Sequence, residues 1–186
     1  MTSFPTSPRV APLSEAEMDD EQRALMKKMA TGRTVNIYAT VARNAFLGDR
    51  MTSLGQALRS EPMSLRHREI VILRTGWRCQ SVYEFSQHRA LATDGGMTTD
   101  DLKRIVAGPD AAGWDPFEAT LCRAADEMHD HACISEATWQ ALTERYGDKE
   151  LIQLTMLCGY YRLVSGLLNT FGVPLEAHAQ GWEGLL

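Results

Sequence analysis

Residues 65–92 read LRHREIVILRTGWRCQSVYEFSQHRALA, and the two halves of this stretch follow different patterns. Ile70, Val71, Ile72 and Leu73 form an unbroken apolar run, preceded by the capping residue Ser64. That pattern predicts a helix through about Arg78 that is buried on most sides. An acid, Glu69, stands directly before the run. In the second half Ser81, Glu84 and His88 recur at i, i+3 and i+7. On a helix turning about 100° per residue, Ser81 and His88 fall about 20° apart and Glu84 about 60° away. Trp77, Tyr83, Phe85, Leu91 and Ala92 supply apolar surface around these polar groups. An acid, a hydroxyl and a titratable base on one helix face make this the expected chemical centre.

The chain on either side reads as helices. Residues 1–13 hold three prolines and are expected to form an extended N-terminal arm, with residues 14–186 as a single all-helical domain. Ser14-Glu15-Ala16-Glu17 is a capping box that opens a helix, with Gly32 as its expected end. Helical patterns run from Asn36 and again through Leu54, Ala57 and Leu58, up to Glu61-Pro62. After the central stretch, Gly95-Gly96 ends one helix and Thr98 with Asp101 starts another, through Val106. Asp115-Pro116 opens a helix to about His131, and Ser135 with Thr138 opens one that Gly147 ends. Asp148 begins a long apolar helix to about Phe171, before Gly172-Val173-Pro174. No stretch shows sustained alternation of period two, so the fold class is all-α. The apolar segments 65–78 and 149–171 are the expected central pair, both largely buried.

Composition narrows the function classes. The chain has 186 residues, 44% of them apolar and 23% charged, with a formal net charge of −5. These are values of an ordinary globular protein. The net negative charge and the lack of a basic run argue against a nucleic-acid partner. No membrane span or secretory leader is read, and the expected location is the cytoplasm. The four cysteines, at 79, 122, 133 and 158, form no CxxC pair and no zinc spacing, so no metal is expected. Two very apolar helices in a short chain favour a homo-oligomer.

Each polar residue has a chemical and a structural reading. Glu84 and His88 are four apart and can touch; a carboxylate there orients the imidazole and raises its basicity. His88 can then move a proton near neutral pH. The structural alternative is a solvent-facing ion pair. Glu69 must be paired if buried, with Arg66, Arg68, Arg74 or Arg78 as candidate partners. Ser81 either donates to a substrate oxygen or caps the helix. Cys79, read on one continuous helix with Ser81, points about 160° away from it and has no resolving thiol nearby. His129 and His131 lie two apart and diverge too far to share one ion. Arg162, Ser165 and Asn169, at i, i+3 and i+7, form a polar stripe on the last helix.

The string REIVILRTGWRCQSVYEFSQHRALA resembles the signature of the carboxymuconolactone decarboxylase and alkylhydroperoxidase D-like family. Weaker likeness covers NIYATVARNAFL (36–47) and LIQLTMLCGYYRLVSGLLNTFGVPLE (151–176). The peroxidase branch of that family carries a Glu, two cysteines and a His; Glu69 and His88 fall on the Glu and His positions. Ser81 and Glu84 fall where the two cysteines stand. The decarboxylase branch has a Glu four residues before its His, as Glu84 stands before His88. The resemblance implies an alkylhydroperoxidase D-like helical bundle assembled as a dimer, trimer or hexamer. It implies a lyase that acts on a small lactone acid without a cofactor. His88, Glu84 and Glu69 would be catalytic, and Ser81, Tyr83 and Trp77 would line the substrate. Glu69 is then a proton-relay or His-orienting residue. The alternatives are a peroxiredoxin-type alkylhydroperoxidase, which the missing cysteine pair disfavours, and a non-catalytic helical oligomer that binds a small ligand.

Overall fold

The computed structural model describes residues 4–29, 35–60, 62–177 and 179–185. Among these residues every regular element is helical. In chain order the α-helices are α1 (Asp20–Met29), α2 (Asn36–Val41), α3 (Ala45–Leu58), α4 (Leu65–Arg78) and α5 (Val82–Asp94). They continue as α6 (Thr99–Ala107), α7 (Pro116–His131), α8 (Glu136–Thr143) and α9 (Asp148–Phe171). The expected caps close most of these ends. Ser64, Thr98, Asp115 and Ser135 each accept a hydrogen bond from a backbone N–H in the following first turn.

The start differs from the expectation. The Ser14–Glu17 box closes only a short 3-10 turn, Glu15–Glu17. The chain then extends at Met18, and Asp19 with Gln22 forms a second reciprocal box that opens α1. Two consecutive boxes compete for one start, and the second has the apolar periodicity behind it. The expected end at Gly32 lies outside the described residues.

The chain divides into two compact units. The first holds residues 1–57 and 167–179. Its core packs Leu13, Met18, Leu25, Met29, Ala39 and Ala42. The N-terminal arm is tied down within it, since Arg9 N–H donates to the Phe171 carbonyl at 2.8 Å and Leu13 N–H to that of Ala39 at 3.1 Å. The second unit holds residues 58–166 and 180–186. Ile70, Ile72, Leu73, Phe85, Ile105, Leu121, Leu154, Leu157 and Tyr161 build its core.

α4 is the axis of the second unit, buried from Glu69 through Gly76. It is fastened to α7 by three ion pairs of one sequence offset. Arg66 meets Glu118, Arg74 meets Asp126 and Arg78 meets Asp130, each pair 52 residues apart. A constant offset means the two helices run parallel. Arg74 is buried, yet four of its five N–H donors are used: Asp126 takes two bonds at 2.6 and 2.8 Å, and the Ile105 and Val106 carbonyls take one each. A buried cation held this way is strongly destabilising to break, at about 3–5 kcal/mol.

α9 departs from the expectation that it is largely buried. Leu154, Leu157, Tyr161 and Ser165 face inward, but Ile152, Met156 and Leu163 are exposed. By length and hydropathy α9 could cross a membrane, yet half of its most apolar window is buried inside the protein, as in a core helix.

Candidate active site

The end of α4 and the start of α5 place the polar groups. α4 closes in a Schellman arrangement: Ser81 N–H donates to the Gly76 carbonyl at 2.9 Å and Gln80 N–H to that of Trp77 at 2.9 Å. Gln80 takes the left-handed conformation, φ 52°, that this motif usually gives to glycine. The chain therefore turns sharply at Cys79–Ser81, and α5 packs back on α4. A Cβ added at Gly76 would lie 3.6 Å from Glu84 Cβ and Cγ and 3.5 Å from the Phe85 nitrogen, ordinary contact distances, so α5 packs against this face of α4 without requiring a glycine there.

This packing sets Glu69 of α4 against His88 of α5. His88 Nδ1 is 2.7 Å from Glu69 Oε2, and His88 Nε2 is 3.1 Å from Glu84 Oε1. Glu69, Glu84 and His88 are only 1%, 5% and 4% exposed. One imidazole is thus clamped between two carboxylates in the interior. Burial alone pulls the imidazole pKa down, but the charges of Glu69 and Glu84 and their hydrogen bonds outweigh it and hold it at about 9. At neutral pH His88 is therefore an imidazolium. Glu84 sits in the first turn of α5, where the helix dipole favours an anion.

Glu69 therefore pairs with His88 and not with a neighbouring arginine. Arg66, Arg74 and Arg78 turn to α7, and Arg68 donates to the Ser60 and Met63 carbonyls. Tyr161 of α9 completes the surroundings; its ring stands edge-on to the imidazole, with centroids 4.8 Å apart.

The other expected site residues do not converge on His88. Ser81 is the N-cap of α5, in extended conformation, and its hydroxyl accepts from Glu84 N–H at 3.5 Å. The helical-wheel position drawn for it fails because α5 begins only at Val82. Trp77 packs against Phe85 and Trp182, at centroid distances of 6.3 and 4.8 Å. Tyr83 is buried one position before Glu84, about 100° round the helix from it.

Cys79 also moves from its expected place, because it caps α4 and does not lie on α5. Its sulfur is 3.7 Å from His129 Nδ1. Burial pushes the thiol pKa up, against the pull of Arg162, Ser165 and Arg78. Burial and the nearby Arg162 and Arg78 push that of His129 down, so both groups are neutral near pH 7. The polar stripe on α9 splits: Arg162 is exposed and donates to the His129 carbonyl, whereas Ser165 is buried.

The match with known families follows the same segment. The model of the carboxymuconolactone decarboxylase family matches residues 47–127. These residues belong to that family. They include α4, α5 and the whole Glu69–His88–Glu84 cluster. No curated protein matches the chain. Among solved structures, the alkylhydroperoxidase AhpD core of an uncharacterized peroxidase-related protein from Ralstonia eutropha JMP134 superposes with a TM-score of 0.78. It is 16% identical, over 92% of this chain and 95% of that one. The debrominase Bmp8, solved with 2,3,4-tribromopyrrole, superposes with a TM-score of 0.78 at 12% identity, over 92% of this chain and 94% of that one. A peroxidase-related protein from Silicibacter sp. TM1040 gives 0.78 at 16% identity, over 94% and 96%. At these identities the likeness is one of fold: the chain has the all-helical alkylhydroperoxidase D-like architecture.

Proposed function

We propose that this protein is a cofactor-independent proton-transfer enzyme, a lyase of the carboxymuconolactone decarboxylase type acting on a small organic acid or lactone. The observation that carries the reading is the clamped imidazole, with Glu69 at 2.7 Å on one nitrogen and Glu84 at 3.1 Å on the other. Because both nitrogens are engaged, His88 does not meet the substrate directly. Glu84 is the outer carboxylate and Glu69 the deep one, so the proton passes through Glu84. In decarboxylation the C–CO2 bond breaks and its electron pair stays on the organic fragment. Glu84, holding the proton released by the imidazolium, then protonates the carbon. His88 recovers its proton from solvent, and Glu69 fixes the ring and its charge throughout.

The test is turnover of small lactone acids, followed by carbon dioxide release. His88→Ala is expected to lower the rate about 10²–10⁴-fold, the range for loss of a general acid or base. Glu84→Gln is expected to lower the rate comparably and to move the apparent pKa of the rate profile down. The double variant should be little worse than His88→Ala, because the groups act as one unit. A folded His88→Ala protein with full turnover would refute the reading and leave a ligand-binding helical protein.

A thiol-based, alkylhydroperoxidase-like activity is the second reading, favoured by the 3.7 Å approach of Cys79 to His129. It is weaker because the thiol is held protonated and the cysteines are all free.

A further inference from the structure

Residues 180–185 belong to the second unit and lie along α5. Arg89 of α5 donates from one nitrogen to the Gly181 carbonyl at 2.8 Å and to that of Glu183 at 3.2 Å. Trp182 packs on Trp77, and Trp77 on Phe85, at centroid distances of 4.8 and 6.3 Å. Leu185 is buried in the core. A Cβ placed at Gly181 would come within 2.7 Å of Val82 Cγ1, so the segment also touches α5 at its first residue. Round the helix, Val82 and Arg89 lie about 20° apart. Phe85 stands between the two functions of α5, about 40° from Arg89 on one side and about 60° from His88 on the other. The ridge that α5 drives into the core thus has the segment on one flank and the clamped imidazole on the other.

A helix held along one ridge can roll about its axis, and contacts on both flanks oppose the roll. A roll of about 10° shifts a side-chain tip, about 5–6 Å from the axis, by roughly 1 Å. That is enough to stretch the 2.7 Å contact of His88 with Glu69 beyond hydrogen-bond range. Glu84 lies on α5 itself and moves with His88, so only the Glu69 contact depends on the roll. We propose that residues 180–185 form a strap that fixes the roll of α5, with Arg89 as the positioning residue that fastens it, and that release of the strap parts His88 from Glu69. Both Arg89 bonds run to backbone carbonyls, so they hold the path of the segment whatever its side chains do. The hold is limited, because Trp182 Nε1–H is buried with no acceptor among the described residues, a cost that docking carries. The proposal rests on the proton-transfer reading for its effect on turnover alone; its effect on the imidazole is read directly.

The test is NMR of the full chain, following the His88 ring signals across pH together with the Trp182 indole N–H. Arg89→Ala is expected to shift the Trp182 signal and to lower the His88 pKa from about 9 toward the ordinary imidazole value of about 6.5. Arg89→Lys, whose ammonium can still donate to both carbonyls, is expected to restore most of it. Gly181→Val forces the segment off Val82 without touching Arg89 and should repeat the Arg89→Ala result. Turnover should fall about 10- to 100-fold in kcat, with KM near that of the wild type. His67, hydrogen-bonded to Tyr146 at 2.7 Å, reports that the rest of the unit is intact. A released strap with the His88 pKa unchanged, or a Trp182 signal that neither variant moves, overturns the proposal. So does loss of the native His67 signal in both variants, which would make the segment ordinary core. A His88 pKa that falls while the pH profile of turnover stays in place leaves the strap standing and refutes the proton-transfer reading.

Discussion

Glu69 and His88, nineteen residues apart in sequence, meet at 2.7 Å inside the protein, the carboxylate 1% exposed and the imidazole 4%. This pair, more than the helix neighbours Glu84 and His88, decides the charge of the site, because it can form only where α5 folds back on α4.

A raised histidine pKa is a stability statement. The His88 imidazolium has a pKa of about 9 in the folded chain, against about 6.5 unfolded. A group raised on folding stabilises fully below its unfolded pKa and loses that contribution as pH climbs through the folded value. Stability should therefore decline between about pH 7 and 9.5. Urea midpoints measured across that range should fall, and the fall should be much smaller in His88→Gln. An equal slope in both proteins would place the origin elsewhere.

Cys79 tests the ranking of the two chemistries. Cys79→Ser should leave lactone-acid turnover near that of the wild type, and alkylation of Cys79 at pH 7 should be slow, because burial keeps the thiol protonated. Thiol-dependent reduction of an alkyl hydroperoxide that disappears in Cys79→Ser would reverse the order and make the peroxidase reading the first.

The corner between α4 and α5 carries measurable strain. Gln80 sits at φ 52°, where glycine has no Cβ cost. Gln80→Gly should raise stability by roughly 0.5–1 kcal/mol, less whatever the unfolded chain gains in freedom. Thermal unfolding measures it; a clear loss of stability would mean that the Gln80 side chain contributes contacts of its own.

The outer face of α9 gives the assembly prediction. Ile152, Met156 and Leu163 are 61%, 44% and 53% exposed, and nothing lies within 4 Å of a Cβ placed at Gly159 or Gly166 between and beyond them. A flat apolar stripe of this kind suits a second copy of the chain. Light scattering at micromolar concentration should find a homo-oligomer, and Ile152→Glu with Leu163→Glu should shift it toward monomer. A monomeric wild type would refute the prediction.

Most of the fold was legible in the sequence, because caps and apolar periodicity are local. Ser64, Thr98, Asp115 and Ser135 mark their helices within a residue or two of the observed starts. Glu84 with His88 was legible for the same reason, being a contact within one helix. The ladder Arg66–Glu118, Arg74–Asp126 and Arg78–Asp130 was not, since several acids could have answered each arginine and only the packing of α7 on α4 chooses. The meeting of Cys79 with His129, and that of Tyr161 with His88, are likewise tertiary. Ser81 is the helix cap, the second of its two readings; its wheel position does not apply because a helical wheel assumes a continuous helix, whereas the left-handed Gln80 breaks it one residue earlier.

That break also works as a phase setting. Three residues, Cys79, Gln80 and Ser81, separate α4 from α5, and they fix the angle at which α5 starts its first turn. One residue added to or removed from this corner would turn the following helix by about 100° about its own axis unless the packing absorbed it. Glu84 and His88 would keep their mutual contact and leave Glu69 facing an apolar side chain. The spacing between Glu69 and His88 is thus a reading frame, and a frame-shifted chain would have the same helices and composition with no clamped imidazole.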